Sequence, residues 1–219
     1  MTERPQPAGG PLRFEKVETT LRDDTPVLIR PIAPADKPLL VEGLSRLSEE
    51  SRYRRFLAPV AELTGEQLRH LTEVDAWDHF AWVALLRDPL GRPGPGIGVG
   101  RYVRLDDEPT VAEAALTVVD EYQGKGLGTL LLGLLAVAAR AAGVERFRAY
   151  VLEENEPVRD LLEALGAEAV YDSPGLLRLD VRLDAELLPD SPAARMLRSL
   201  AAKVFPIKVA PLRIPGSVC

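Results

Sequence analysis

The apolar positions along this chain alternate between two spacings, and each spacing predicts an element. "PVLIRPI" (26–32) interleaves apolar and polar residues up to a proline, which suits a first strand. Over 33–57 the leucines 40, 44 and 47 fall at helical spacing, and Ser48 followed by Ser51 offers a second helix start. "LTGEQLRHLTEV" (63–74) predicts a short helix capped by Thr64, with Gln67 in the capping-box position. "HFAWVALLRD" (79–88) has the pattern of a buried strand, "GRPGPG" (91–96) that of a turn, and "IGVGRYVRL" (97–105) that of the returning strand. "TVAEAALTVVD" (110–120) is a third strand in succession.

A glycine-rich stretch then leads into "LGTLLLGLLAVAARAAG" (127–143), the strongest helix, ended by Gly143. "RFRAYVLEEN" (146–155) is a strand, and "EPVRDLLEALG" (156–166) is a helix with proline in its first turn and glycine past its end. "AEAVYDSPGLLRLDVRL" (167–183) predicts a closing hairpin around Ser173-Pro174-Gly175. Residues 1–13 are read as a mobile tail and 14–183 as the domain. Residues 184–219 form an extension with one amphipathic piece, "SPAARMLRSLAAKVF", and a proline-spaced end. No internal repeat is present. The order predicts an α/β domain (α+β in some schemes), one sheet with helices on both faces.

Composition narrows the function. The 219 residues are 46% hydrophobic, enough for one sizeable core. A formal net charge of −6 argues against nucleic acid or an anionic membrane surface and is compatible with cationic substrates such as amines. The single cysteine, Cys219, excludes a disulfide within one chain, and with only His70 and His79 a zinc or iron–sulfur site would lack its usual ligands. No signal-peptide core and no long uncharged apolar stretch is present, so the expectation is a cytoplasmic protein, monomer or homodimer.

Residues 118–131, "VVDEYQGKGLGTLL", place glycines at 124, 126 and 128 between a strand and a helix. Glycine is costly inside regular structure, so three here point to a use for bare backbone. Successive N–H groups at such a turn converge, and the helix dipole adds about half a positive charge. An anion such as a pyrophosphate fits over 124–129. A Walker loop is excluded because Gly126 follows Lys125 and Val119 stands where the first glycine belongs. A Rossmann turn is excluded because hairpin strands precede it and Glu145 sits before a strand, not at its end.

The motif that matches is Gln-x-x-Gly-x-Gly, present as Gln123-Gly124-Lys125-Gly126-Leu127-Gly128. It resembles the acyl-CoA loop of the GNAT N-acetyltransferase superfamily. The preceding "EAALTVV", the leucine helix after the loop, and Asn155 heading "NEPVRDLLEALGA" keep the expected order, so the resemblance covers about residues 26–183. "LSEESRYRRFL" (47–57) and "EVDAWDHFAWVAL" (73–85) look like segments of bacterial protein-lysine acetyltransferases. Those proteins usually add ligase-like or cyclic-nucleotide-binding domains, for which this chain has no room. The resemblance implies a mixed, mostly antiparallel central sheet splayed between two strands, with helices on both faces.

It also implies roles. Acetyl-CoA would be the co-substrate, with no metal, and an amine, preferably a protein lysine, the acceptor. Leu116, Thr117 and Val118 would bond the pantetheine arm by backbone groups, as an added strand does. Gln123, Gly124, Lys125, Gly126, Leu127, Gly128 and Thr129 would hold the pyrophosphate, Lys125 being either a charge near it or a solvated side chain. Asn155 would contact the cofactor, cap the next helix, or both. A lysine ammonium needs about 4–5 kcal/mol to reach its neutral form at pH 7. Glu113, among small apolar neighbours, either matches the family's glutamate base, where burial would raise its pKa, or is an edge or rim residue facing solvent.

The tyrosine that many of these enzymes present seven residues after the asparagine is Leu162 here, leaving Tyr150 and Tyr122 as candidate acids or the thiolate to leave unaided. The usual phenylalanine after the helix-ending glycine is Ala167. His79, with Asp75 four residues before it, is either a proton handler or a histidine satisfying a loop. Ser51, Tyr53, Arg54 and Arg55 either border the substrate cleft or form a solvated face. A small-amine acetyltransferase and a non-catalytic CoA-binding module are the alternatives.

Overall fold

The structure is a computed structural model in which residues 12, 14–184 and 195 are described. Apart from Leu12, Asp184 and Arg195, the expected tail and C-terminal extension lie outside the described residues. Eight strands form one sheet in the order β1-β2-β3-β4-β5-β6-β8-β7. The strands are β1 (Val17–Thr20), β2 (Pro26–Pro31), β3 (His79–Arg87), β4 (Pro93–Arg104), β5 (Val111–Val118), β6 (Arg146–Leu152), β7 (Glu168–Ser173) and β8 (Leu176–Arg182). Every pairing is antiparallel except β5 with β6.

Three helices, α1 (Lys37–Ser45), α2 (Glu49–Phe56) and α3 (Gly65–Thr72), precede β3, while α4 (Leu127–Ala141) and α5 (Glu156–Glu163) flank β6. Their starts are where the caps predict. Ser48 Oγ accepts from the Ser51 N–H at 3.1 Å, and Thr64 and Gln67 exchange two bonds at 3.2 and 2.8 Å. α4 lies close on one face because β4 is bare there. A β-carbon at Gly98 would stand 3.2 Å from both Leu127 and Leu131, and one at Gly100 3.3 Å from Leu131. Trp82, Tyr102, Phe80, Leu131, Leu134 and Leu135 are fully buried in this main core. On the other face Leu28, Val83 and Leu85 pack with Leu39 and Leu40 of α1.

Two expectations need correction. β1 was not anticipated, because four residues alternating half-buried Val17 and Thr19 with exposed Glu18 and Thr20 give almost no hydrophobic signal. It forms because β2 offers it an edge. β4 starts at Pro93, not at residue 97; the turn-like "PGPG" pairs with β3 across register shifts near Leu85, where a bulge tolerates the missing proline N–H.

Candidate active site

The site is created by a failure of two strands to stay together. β5 and β6 pair only through Val111↔Arg146, Ala112↔Phe147 and Glu113↔Arg148. Beyond that point β6 stays with β8 and β5 stays with β4, so the upper half of β5 has an open edge. Buried Arg148 fixes the parting point: it donates to Asp180 Oδ1 at 2.9 Å and to Glu108 Oε1 at 2.5 Å. Those carboxylates hold its guanidinium above its usual range.

Bonds from Val119 N to Ile97 O and from Leu105 N to Val111 O set the phase of β5, turning the odd-numbered amides to β4. By alternation the Leu116 and Val118 amides face the open edge, while Thr117 belongs to the β4 ladder. An extended ligand laid along that edge would therefore meet Leu116 and Val118.

The glycine loop stands above this edge. Gly124 (φ +70°) and Gly126 (φ +88°) are left-handed, and Gly126 is the N-cap of α4. A β-carbon on Gly126 would lie 3.2 Å from Arg22 Nε, while the space over Gly124 and Gly128 is open. The loop is braced from below: Gln123 Nε2 donates to Val118 O (3.0 Å), Asp120 Oδ1 (2.8 Å) and Ser51 Oγ (3.2 Å). The Gln123 side chain thus shapes the loop. Lys125 is pinned as well, 2.9 Å from Asp23 and over the Tyr122 ring. Leu116, Thr117, Val118, Gln123, Gly124, Gly126, Gly128, Thr129 and Asn155 line one groove, joined by Arg22. Leu127 is buried beneath it. Asn155 holds the N-cap position of α5, yet its side chain makes no capping bond and faces the groove.

Glu113 lies at a junction. It lines a cleft of about 560 Å³ between β5 and β6, together with Leu116, Tyr150, Asn155 and Leu162. It also lines a hollow of about 470 Å³ on the other side, walled by Arg55, His70 and Arg101. The expectation that Glu113 is buried is corrected: it is exposed, because the splayed strands leave both openings in front of it.

Arg101, 6% exposed, donates to His79 Nε2 at 3.0 Å and to Leu71 O at 3.0 Å. Burial, and then the Arg55 charge, push its guanidinium down to about 9. Burial also pushes Arg55 down, against the opposing pull of the Glu113 carboxylate. His79 is driven to about 4 by burial and then by Arg101, so its ring is neutral and accepts. Asp75 does not touch that ring; its Oδ1 accepts the backbone N–H groups of Trp77, Asp78 and His79.

Of the helix residues singled out in sequence, Arg54 and Arg55 line the cleft, Ser51 the groove, and Tyr53 is exposed on α2. Tyr150 lines the cleft; Tyr122 packs under the loop against Lys125. Sequence reasoning missed Arg22, which sits in a turn next to an unrecognised strand, and Arg101, an ordinary-looking charge in a strand. A cation at an inward position of "IGVGRYVRL" was the signal for the second. Among the described residues no cluster of His, Cys, Asp or Glu is arranged to hold a metal ion, and no helix is long and apolar enough to cross a membrane.

A mostly antiparallel sheet parted at one parallel pair, with a glycine turn over the opening, defines an acyltransferase fold. Residues 27–168 match the family described as Acetyltransferase (GNAT) domain, and the chain belongs to that family. It is 40% identical over 153 residues to Acetyltransferase Pat of Mycolicibacterium smegmatis, a match covering 70% of this chain and 44% of that protein. The chain thus spans less than half the length of that relative. It is 33% identical over 147 residues to Acetyltransferase PA5475 of Pseudomonas aeruginosa, covering 67% of this chain and 77% of that one. Among solved structures, the GNAT domain of S. lividans PAT superposes with a TM-score of 0.69 at 30% identity, covering 76% of this chain and 96% of that domain.

Proposed function

We propose that the protein is an acetyl-CoA-dependent N-acetyltransferase acting in the cytoplasm, with residues 14–183 as the catalytic domain. Its acceptor is a primary amine, a protein lysine side chain in preference to a small amine. One observation carries this reading: Glu113 lines both the cleft that opens from β5 and the separate hollow behind it. The groove fits the thioester carrier. Left-handed Gly124 and Gly126 line it at the start of α4, where backbone N–H groups suit a diphosphate, and the free Leu116 and Val118 amides suit the pantetheine arm. Arg22 adds a guanidinium on the groove wall.

The amine enters through the hollow and gives a proton to Glu113, directly or through water. Its nitrogen attacks the thioester carbon, the C–S bond breaks, and the CoA thiolate departs. The Val118 or Leu116 N–H stabilises the developing oxyanion. Tyr150, which lines the cleft, would protonate the thiolate. Exposed Tyr53 on α2, whose Arg55 and Phe56 line that hollow, favours a macromolecular acceptor. Incubation with acetyl-CoA and lysine-bearing proteins, read by thiol release and mass spectrometry, is expected to yield acetyl-lysine. Turnover with free amines only would refute the lysine preference, and no thiol release with any amine would refute the reaction.

A further inference from the structure

The cleft does not end at the level of Glu113. β5 runs toward the glycine loop and α4 returns from it, so successive α4 residues lie farther from the loop. Gly133 and Ala136 line the cleft on the way down, and Arg140 closes its far end. At 1.5 Å per residue the wall from Leu132 to Arg140 is about 12 Å long. The opposite wall is Leu162 and Leu165 beyond α5's first turns, over Phe147 and Val181 of the sheet.

We propose that this lower part is an acyl channel, and that the enzyme accepts straight-chain acyl-CoA thioesters longer than acetyl, with the hydrocarbon tail between α4 and α5. The inference rests on reading the upper cleft as the thioester site and extends it. Between Leu116 and Arg140 the α4 and α5 walls present only apolar side chains or glycine, so water held there would lack the polar partners it needs. An acetyl methyl is too small to fill the space, and an apolar void forfeits contacts on every wall. Gly133 and Ala136 are the small residues that keep it open, and Leu162 presents methyl groups where a tyrosine was the expectation. Arg140 is occupied, donating to Leu183 O at 2.8 Å and pairing with Asp184 at 2.5 Å, so the far end offers no free cation from that residue to an acyl carboxylate. The reaction balances as it does for acetyl: the amine nitrogen bonds the acyl carbon, the C–S bond breaks, the amine proton passes to Glu113, and CoA leaves as the thiolate.

The test is calorimetric titration of the full chain with acetyl-, butyryl- and hexanoyl-CoA, which needs no acceptor. Each fully buried methylene is worth about fourfold in affinity, so the four extra methylenes of hexanoyl-CoA set a ceiling of about 250-fold. Binding at least about tenfold tighter than acetyl-CoA is expected if only half of them are buried. Ala136→Leu should bring the hexanoyl-to-acetyl ratio back toward one, as should Leu162→Phe, which fills the channel from the other helix. Equal or weaker binding of hexanoyl-CoA by the parent, with acetyl-CoA bound normally, overturns the channel alone, whether the space is shut or filled by the chain's own residues beyond Asp184. Absence of binding by any of the thioesters overturns the acetyl-CoA reading, and the channel with it.

Discussion

Asp120 Oδ1 accepts from Gln123 Nε2 at 2.8 Å, and this bond ties the glycine loop to the start of α2. The same carboxylate accepts the Ser48 N–H at 2.7 Å and the Ser51 hydroxyl. One side chain thus sets the height of the loop over β5 and the position of the helix that carries Arg54 and Arg55.

Asp120→Ala removes three acceptor contacts at once. These bonds are exposed and water can replace the lost acceptor, so their loss is expected to destabilise the fold by about 1 kcal/mol. Among the described residues, only the Gln123 Nε2–Ser51 Oγ contact at 3.2 Å then joins the loop to α2, so the KM for acetyl-CoA should rise several-fold. Thermal melts and initial rates check both, and an unchanged KM would show that the brace is not needed for cofactor binding.

Glu113→Gln keeps the shape of the cleft and removes the carboxylate proposed as proton acceptor. A general base is worth about 10²–10⁴ in rate, so kcat should fall by at least about a hundredfold with little change in acetyl-CoA affinity. Activity within threefold of the parent would remove Glu113 from the mechanism.

Gly126→Ala places a β-carbon on a residue with φ of +88°. Left-handed backbone costs a non-glycine residue about 1–2 kcal/mol. The new carbon would also press on Arg22 at 3.2 Å, which can yield because the contact is a flexible side chain. A fall in Tm of about 2–4 °C per kcal/mol and weaker CoA binding are expected, measured by calorimetry. Gly128→Ala, in open space within α4 at ordinary helical angles, should hold or raise Tm by about 1–4 °C, which separates conformational cost from ligand clearance.

His79 supplies a pH test. Its folded-state pKa, about 4, lies below the ordinary 6.5, so the unfolded chain binds the extra proton first as pH falls. The neutral ring's contribution is complete above pH 6.5 and is lost progressively as pH falls toward about 4. Urea midpoints measured between pH 7 and 4.5 should therefore decline in the parent, and His79→Gln should remove part of that slope. An identical slope in the variant would assign the acid sensitivity elsewhere.

The outline of the fold was readable because long elements carry strong patterns. The leucines of α4, the caps Ser48 and Thr64, and the Gln123–Gly128 motif each announce themselves locally. What could not be read depends on neighbours far away in sequence. β1 exists because β2 has an edge to cover, and the PGPG stretch is strand because a bulge forgives its prolines. The exposure of Glu113 follows from where β5 and β6 part, a fact about two strands separated by α4. Lys125 and Gln123 stand in the loop, but their partners Asp23, Asp120 and Ser51 come from outside the glycine motif. Sequence shows which groups stand at a turn; only the fold shows which of them are already engaged.

Three residue pairs join β5 to β6, against seven between β6 and β8. Along the sheet, the block β6–β8–β7 therefore hangs from the remainder by a narrow seam. A bound thioester would span that seam, gripping β5 on one side and α5 on the other. At a hundredfold excess over Kd such a ligand adds about 2.7 kcal/mol to the folded state. The ligand-free protein would then be the one whose sheet opens more readily at that seam, and the thioester would act as its clasp.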